Sequence, residues 1–395
     1  MQSIKDKVAI VGMGCTRFGE RWDQGMEDLI VEACYEALED ASLETKDIQA
    51  AWFGNQSTAY SGQTLAHALK LEYLPVTRVE NLCGTATDAL RNACFAVASG
   101  TYDVVLVCGA EKFKDTGYAG LPPLYGMPGL TVSGTDPLIS GPGLFALSAT
   151  RYFYQYGISY EDGKRLLAKI SVKNHYNGSL NPKAHFQREV TIDQVMNAPM
   201  ISWPLGLFDC CGNSDGASAA IITRRDMARS FRDDYILVKS LALASGAMQG
   251  QIRREYDFTH FDEAVTAARA AYEEAGVSNP RGEIDMAIVH DCFTITELIT
   301  YEDLGFCPRG EARNDVDEGL FTLEGGLPVN TDGGLKCFGH PVGASGLRMI
   351  YEVYKQLQGK SGPRQLRKID LGLTHNLGGQ PGCFTCAIGI FGRED

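Results

Sequence analysis

Residues 27–54 read EDLIVEACYEALEDASLETKDIQAAWFG, and residues 262–292 read DEAVTAARAAYEEAGVSNPRGEIDMAIVHDC. Both stretches run in the same order: an Ala/Glu-rich helix, a short loop, an Asp-Ile or Ile-Asp step, then an apolar strand. The helical reading rests on spacing, with Leu29, Ala33 and Ala37 on one face and charges between them. The repeat continues downstream. Cys83-Gly-Thr-Ala opens a helix to about Ser99, Gly100 stops it, and the strand DVVLVCG follows at 103–109. In the second half Gly343-Ala-Ser-Gly opens a helix to about Leu357, Gly359 ends it, and IDLGLTH at 369–375 supplies the strand. Two copies of such a unit predict an α/β fold with two pseudo-twofold-related halves and helices covering each sheet. The halves are expected at 1–235 and 236–395.

Residues 112–200 interrupt the rhythm. They carry the Gly/Pro-rich LPPLYGMPG and then a basic helical stretch with Arg151, Lys164, Arg165, Lys169 and Lys173. This reads as an inserted loop region in the first half, either a lid or a solvated excursion.

Composition narrows the function. The net charge of -13 over 395 residues excludes a general nucleic-acid binder, which needs surplus Lys and Arg, but leaves room for a small anionic ligand. The N-terminal MQSIKDKVAIVGMG has charges where a secretory leader has an apolar core, and no apolar run reaches the roughly 20 residues of a membrane span. A cytoplasmic protein is expected, and its twelve cysteines are expected to be reduced. No CxxC or HExxH spacing occurs, and adjacent Cys210-Cys211 make a poor clamp, so no metal is assigned.

Three motifs carry chemistry. Cys83, in NLCGTATDAL, follows the apparent strand VTRVENL and precedes a helix. Unpaired N–H groups at a helix start should lower its thiol pKa. His290, in HDCF, ends the strand IDMAIV, and His340 lies in GHPVGASG just before the second helix. Both histidines fall where ligand sites gather in α/β sheets. HNLGGQPG near the C-terminus reads as a further glycine-rich turn after a strand.

With CGTATDALRNACFAVASGTYDVVLVCGAEK, NSDGASAA, HDCFTITE, NTDGGLKCFGHPVGASG and THNLGGQPG in this order, the chain resembles the thiolase superfamily. It is most similar to the sterol-carrier-protein-type and archaeal branch, which holds acetoacetyl-CoA thiolases and two-component benzoylsuccinyl-CoA-type thiolases. The resemblance implies a five-layered αβαβα fold. It implies thiolytic cleavage of a 3-ketoacyl-CoA, or the reverse Claisen condensation, with coenzyme A as cosubstrate and no bound cofactor. By position Cys83 matches the nucleophile and His340 the histidine that activates it. His290 takes the place of an asparagine in biosynthetic thiolases. Those enzymes use a second cysteine as acid/base where this chain has Asn376-Leu-Gly378, so Cys292 is the family-consistent replacement. Backbone N–H groups of Cys83 and Gly378 would form an oxyanion hole, and Cys383 and Cys386 read as core. The resemblance further implies a homodimer core and a small zinc-ribbon/OB-fold partner subunit. A retro-aldol lyase on a CoA ester and a non-catalytic acyl-CoA-binding subunit are the competing readings.

Overall fold

The computed structural model describes residues 3–116 and 140–394. In chain order the elements that build the site are β1 (Val8–Cys15), α1 (Met26–Ala41), β2 (Ala50–Gly54), β3 (Val76–Val79), α2 (Thr85–Ala98) and β4 (Val104–Glu111). Next come α3 (Gly141–Gln155), α4 (Tyr160–Ser179), β5 (Gly216–Arg224), β6 (Ile236–Ser245), α5 (Asp262–Ala275) and β7 (Met286–Ile288). The chain closes with α6 (Thr294–Asp303), α7 (Gly334–Phe338), α8 (Ser345–Leu357), β8 (Leu371–Gln380) and β9 (Cys383–Gly392).

Among the described residues the main sheet has nine strands, in the order β3-β2-β4-β5-β1-β6-β9-β8-β7. The repeat read from the sequence is visible in this order. In the first half β2 runs parallel to β4, β4 antiparallel to β5, and β5 antiparallel to β1. In the second half β7 runs parallel to β8, β8 antiparallel to β9, and β9 antiparallel to β6. Even β3 has an echo: the parallel bridge Ala287–Val329 lies beside β7 as β3 lies beside β2. The halves join through β1 and β6, antiparallel, at Ala9–Leu237 and Ile10–Ile236.

Layering follows from which faces are apolar. β1 is buried along its whole length, as a strand covered on both sides must be. On its outer face α1 buries Leu29, Ile30, Ala33, Cys34, Ala37, Leu38 and Ala41, the i, i+4 stripe anticipated. The approach is close because Gly12 and Gly14 stand opposite small residues. A Cβ on Gly12 would lie 2.3 Å from the Ala37 carbonyl oxygen, and one on Gly14 2.1 Å from that of Ala33. On the far side α5 covers β6 and β9 with Ala264, Ala267, Ala268 and Ala271, and Gly276 ends it in the left-handed region at φ +82°. Between the half-sheets lie α2 and α8, each touching strands of both halves. They cross where a Cβ on Gly346 would meet Thr87 Oγ1 at 2.4 Å. The result is the expected α-β-α-β-α stack.

Three expectations need correction. HNLGG is not a turn: β8 continues through it to Gln380 in register with β9, because its residues are buried and paired, and the chain reverses only at 381–382. The basic stretch is helical as read, divided between α3 and α4, but it is packed into the protein and is no solvated excursion. α4 buries Leu166, Leu167, Ala168 and Ile170, and it packs against α6 and α7. Its cations are paired within the protein: Lys164 with Asp209, Lys173 with Glu297, Lys169 with Asp317. Cys386 is core, but Cys383 keeps a partly exposed surface. LPPLYGMPG lies outside the described residues. Among the described residues no helix is long and apolar enough to cross a membrane.

Candidate active site

Cys83 sits in a tight reversal between β3 and α2. Leu82 adopts φ +51°, an uncommon conformation for a side-chain-bearing residue, of the kind that clusters at functional loops. The turn is clamped locally: Asn81 N–H donates to Thr85 Oγ1 at 2.9 Å, Gly84 N–H to the Asn81 carbonyl at 3.0 Å, and Asn81 Nδ2 to Asp88 at 2.6 Å. Strand β8 presses against this loop from the second half. A Cβ on Gly378 would fall 2.7 Å from Cys83 N, 2.8 Å from Leu82 Cβ and 2.9 Å from the Asn81 carbonyl oxygen. Only a glycine lets the strand come so near. The next residue, Gly379 at φ +116°, donates its N–H to the Cys83 sulfur.

His340 faces the thiol. Its Nε2 is 3.3 Å from Cys83 Sγ, and its Nδ1 is 2.8 Å from Ser345 Oγ. The Ser345 hydroxyl donates its single hydrogen to the Pro341 carbonyl at 2.9 Å. It therefore accepts from Nδ1, which must carry the imidazole proton, and Nε2 presents its lone pair to Cys83. The GHPVGASG turn is held by the buried carboxylate of Glu111 at the end of β4. Glu111 accepts Gly343 N–H at 3.0 Å and also the N–H groups of Gln56, Ser57 and Thr58.

His290 follows β7. Its ring centroid lies 5.2 Å from that of His340, nearly perpendicular, and its Nδ1 has no hydrogen-bond partner among the described residues. Its backbone N–H reaches His375 Nδ1 at 3.4 Å. Asp291 anchors this segment to α7 by accepting Leu335 N–H at 2.5 Å and to α4 by accepting Asn174 Nδ2–H at 2.9 Å. Cys83 Sγ and one ring nitrogen from each of His290 and His340 lie within 4.8 Å of one another. Cys292 is outside that trio. Its sulfur is 3.5 Å from Thr296 Oγ1, and its carbonyl accepts Cys211 N–H at 2.9 Å. Asn376 turns into the interface of the central helices, where its Oδ1 accepts Thr87 Oγ1 at 2.6 Å.

Burial governs the electrostatics. The Cys83 thiol is pushed up to about 12, chiefly by desolvation, against the lowering hydrogen bond from Gly379. The sequence-based expectation of a lowered thiol is thus reversed: burial outweighs the lowering backbone hydrogen bonds, and Glu80 and Glu111 add to the rise. His340 is pulled down to about 3 by burial and then by Arg348. His290 also lies well below its ordinary value, through burial and then its neighbours His340, His375 and Arg348. Burial thus favours the neutral form of both the thiol and the imidazole. Burial likewise raises Cys292 well above an ordinary thiol.

The sequence reading missed the supporting groups. Ser345, Glu111, His375, Asp291 and Cys211 all lie within or beside motifs already singled out. Only the fold shows which of them touch the three site residues.

Residues 8–202 match the family described as thiolase, N-terminal domain, and residues 244–388 match thiolase C-terminal domain-like. The acetyl-CoA acetyltransferase of Methanothermobacter thermautotrophicus is 40% identical over 397 residues, covering 98% of this chain and 99% of that protein. Benzoylsuccinyl-CoA thiolase subunit BbsB of Thauera aromatica is 32% identical, covering 96% of both. Among solved structures the Ltp2-ChsH2(DUF35) aldolase superposes with a TM-score of 0.84 at 27% identity, covering 99% of both chains.

Proposed function

The chain belongs to the thiolase family, and from that premise we propose that it cleaves a 3-ketoacyl-CoA with coenzyme A through an acyl group carried on Cys83. The observation that carries this reading is the 3.3 Å contact between Cys83 Sγ and an unprotonated His340 Nε2. In the thiolytic direction the sulfur attacks the keto carbon while its proton passes to Nε2. The carbon–carbon bond then breaks, the electron pair becomes the enolate of the departing CoA ester, and the shortened acyl group stays on Cys83. N–H groups of His340 and His290 stabilise the enolate oxygen, and Cys292 returns a proton to the carbon. The thiol of CoA then gives its proton to the Cys292 thiolate and attacks the acyl carbon, the backbone N–H groups of Cys83 and Gly378 receive the oxyanion, and the Cys83 sulfur leaves and regains its proton from His340. Claisen condensation is the same sequence reversed. Asn376 has no exchangeable proton near neutral pH, so its part is to hold Thr87 and the strand that carries Gly378.

The test is acylation itself. Incubation with acetyl-CoA should add one acetyl group to the peptide carrying Cys83, and Cys83→Ser should lose both the adduct and turnover. An unmodified Cys83 in protein that turns over 3-ketoacyl-CoA would refute the mechanism.

A second reading, retro-aldol cleavage of a CoA ester, is favoured by the aldolase among the structural neighbours. It predicts a free carbonyl product in place of a second acyl-CoA. A thiol held against an imidazole supports acyl transfer instead, since an aldol cleavage needs no nucleophile. We further propose a homodimer core and a small partner subunit that completes the CoA entrance. One relative is named as a thiolase subunit and one neighbour is a two-protein complex, which supports this. So does the pairing of Lys164, Lys169 and Lys173 with carboxylates, which makes them poor ligands for CoA phosphates. Full activity and tight CoA binding by the isolated chain would make the partner unnecessary.

A further inference from the structure

We propose that Cys83, His290 and His340 form a three-ligand site for a borderline-soft divalent cation, Zn2+ foremost, and that the bound ion shuts the enzyme by capping its nucleophile. Motif spacing could not reveal such a site, because the three residues come from positions 83, 290 and 340 and meet only in the fold. Binding of the ion does not depend on the proposed reaction; only its inhibitory consequence does.

Four observations converge. The donor atoms lie within 4.8 Å of one another. Tetrahedral Zn2+, with bonds of about 2.3 Å to sulfur and about 2.0–2.1 Å to nitrogen, needs donors roughly 3.4–3.6 Å apart. The Cys83–His340 pair is already at 3.3 Å, so closure asks for a shift of about 1 Å by the third ligand. The donor set is one that Zn2+ favours, two imidazoles and a thiolate, with the fourth position left for water.

The third observation is the state of His340. Ser345 already holds its Nδ1 proton, leaving Nε2 as a fixed lone pair on the side of the sulfur. Metal-bound histidines are held in this way by an outer hydrogen-bond acceptor. The fourth is His290, which is 1% exposed and has no hydrogen-bond partner on its Nδ1 among the described residues. A buried imidazole so lightly held can turn towards an ion at little cost. Binding forms one S–Zn bond and two N–Zn bonds. The Cys83 sulfur gives up its proton to solvent, water leaves the ion's hydration shell, and nothing is oxidised or reduced.

The occupied site cannot carry out acyl transfer, because the sulfur lone pair that would attack the keto carbon is bound to the metal. His290 is the residue that makes the difference. A chain with asparagine at this position would present only a sulfur and one imidazole.

The test uses the full-length protein, stripped of metal and reduced. Titration with ZnCl2 against a chromophoric chelator should give one ion per chain. CoCl2 should give the visible d–d bands of tetrahedral Co2+ together with a near-ultraviolet thiolate charge-transfer band. Zn2+ should protect Cys83 in the wild-type protein from iodoacetamide, read by peptide mass, and a chelator should restore its reactivity. Cys83→Ser, His290→Asn and His340→Asn should each weaken binding by more than the roughly 10–100-fold that an outer partner is worth, and Ser345→Ala by about that amount. Cys211→Ala should leave binding unchanged. An octahedral cobalt spectrum without charge transfer, absence of protection at Cys83, unaltered affinity in His290→Asn, or loss of binding in Cys211→Ala would each overturn the proposal. Protection and the cobalt spectrum are read on unmutated protein, so a variant that fails to fold leaves the test intact.

Discussion

Replacing Gly378 by alanine tests the claim that contact between β8 and the Cys83 loop sets the position of the nucleophile. The new Cβ would stand 2.7 Å from Cys83 N, 2.8 Å from Leu82 Cβ and 2.9 Å from the Asn81 carbonyl oxygen. Two of these three atoms are backbone, so no side chain can rotate out of the way. Ordinary contact begins near 3.4 Å, so loop and strand must part by about 0.7 Å, the difference between 3.4 and 2.7. Overpacking of this kind costs about 1–3 kcal/mol of stability, which a protein of this size survives with its fold intact. The catalytic effect is larger. A misplacement approaching 1 Å can lower a rate by about 10²-fold, and here it also separates the two backbone donors of the proposed second oxyanion hole. The expected result is a kcat lowered by about 10²-fold, little change in KM, and slower alkylation of Cys83. Gly25→Ala is the control, since a Cβ there meets only Asp28 Oδ2 at 3.7 Å, far from the site in sequence and fold. Steady-state thiolysis of acetoacetyl-CoA, with a urea melt on each variant, decides the matter. If Gly378→Ala stays within about threefold of wild type, the strand does not position the nucleophile and the argument fails.

Three further outcomes follow from the same geometry. Ser345→Ala removes the acceptor that fixes the His340 tautomer. One neutral hydrogen bond is worth about 0.5–1.5 kcal/mol, so kcat should fall about 2–10-fold with KM steady. Ser345→Thr should recover the rate, and nitrogen NMR of labelled histidine should show tautomer mixing in the alanine variant alone; an unmixed signal refutes the assignment. Cys292→Ala should slow carbon–carbon cleavage and deuterium exchange at the acetyl-CoA alpha carbon by about 10²–10⁴-fold while sparing acylation of Cys83. Exchange at the wild-type rate would move the proton transfer to another group, with His290 next. Finally, His340 is held in the folded protein at about 3, below its ordinary 6.5. The unfolded chain therefore binds a proton first as pH falls. The stability this group contributes is complete above about pH 6.5 and declines below it by about 1.4 kcal/mol per pH unit. Urea denaturation of wild type and His340→Asn at pH 7.5, 6 and 5 should show their difference shrinking at that slope. Comparing the two cancels the opposing effect of the buried acids Glu263, Glu302 and Asp303, which burial raises. A constant difference refutes it.

Much of the fold was legible because the duplicated helix–strand pattern uses local signals: alanine stripes, a terminal glycine, an apolar run. That Cys83, His290 and His340 belong to the candidate site was legible because each sits in a short motif, and the fold brings the three together. What stayed hidden depends on long-range packing. HNLGG looks like a turn in isolation, yet becomes strand because β9 pairs with it residue by residue. A lowered Cys83 thiol is the sound local inference for a helix start, and only the enclosure by β8 and the neighbouring loops reverses it. The cations of α4 look like surface charge because their partners Asp209, Glu297 and Asp317 are distant in sequence. Glu111 lies in the quoted stretch that ends CGAEK, yet nothing in the stretch marks it out. It is one acid at the end of a strand, and its importance lies in the four backbone N–H groups that converge on it.

The way β1 is paired has a consequence for the birth of the chain. Val8 finds its partner in Arg224 and Cys15 in Ser218, so the first strand made must wait for residues 216 (224 − 8) and 203 (218 − 15) positions later. At roughly 5–20 residues per second of synthesis, that is on the order of 10–40 s during which a wholly apolar segment has emerged from the ribosome without its strand partners. Hydrophobic surface exposed for so long invites association with other nascent chains. Recovery of this protein should therefore be limited less by the stability of its finished core than by whatever shelters VAIVGMGC until residues 218–224 arrive.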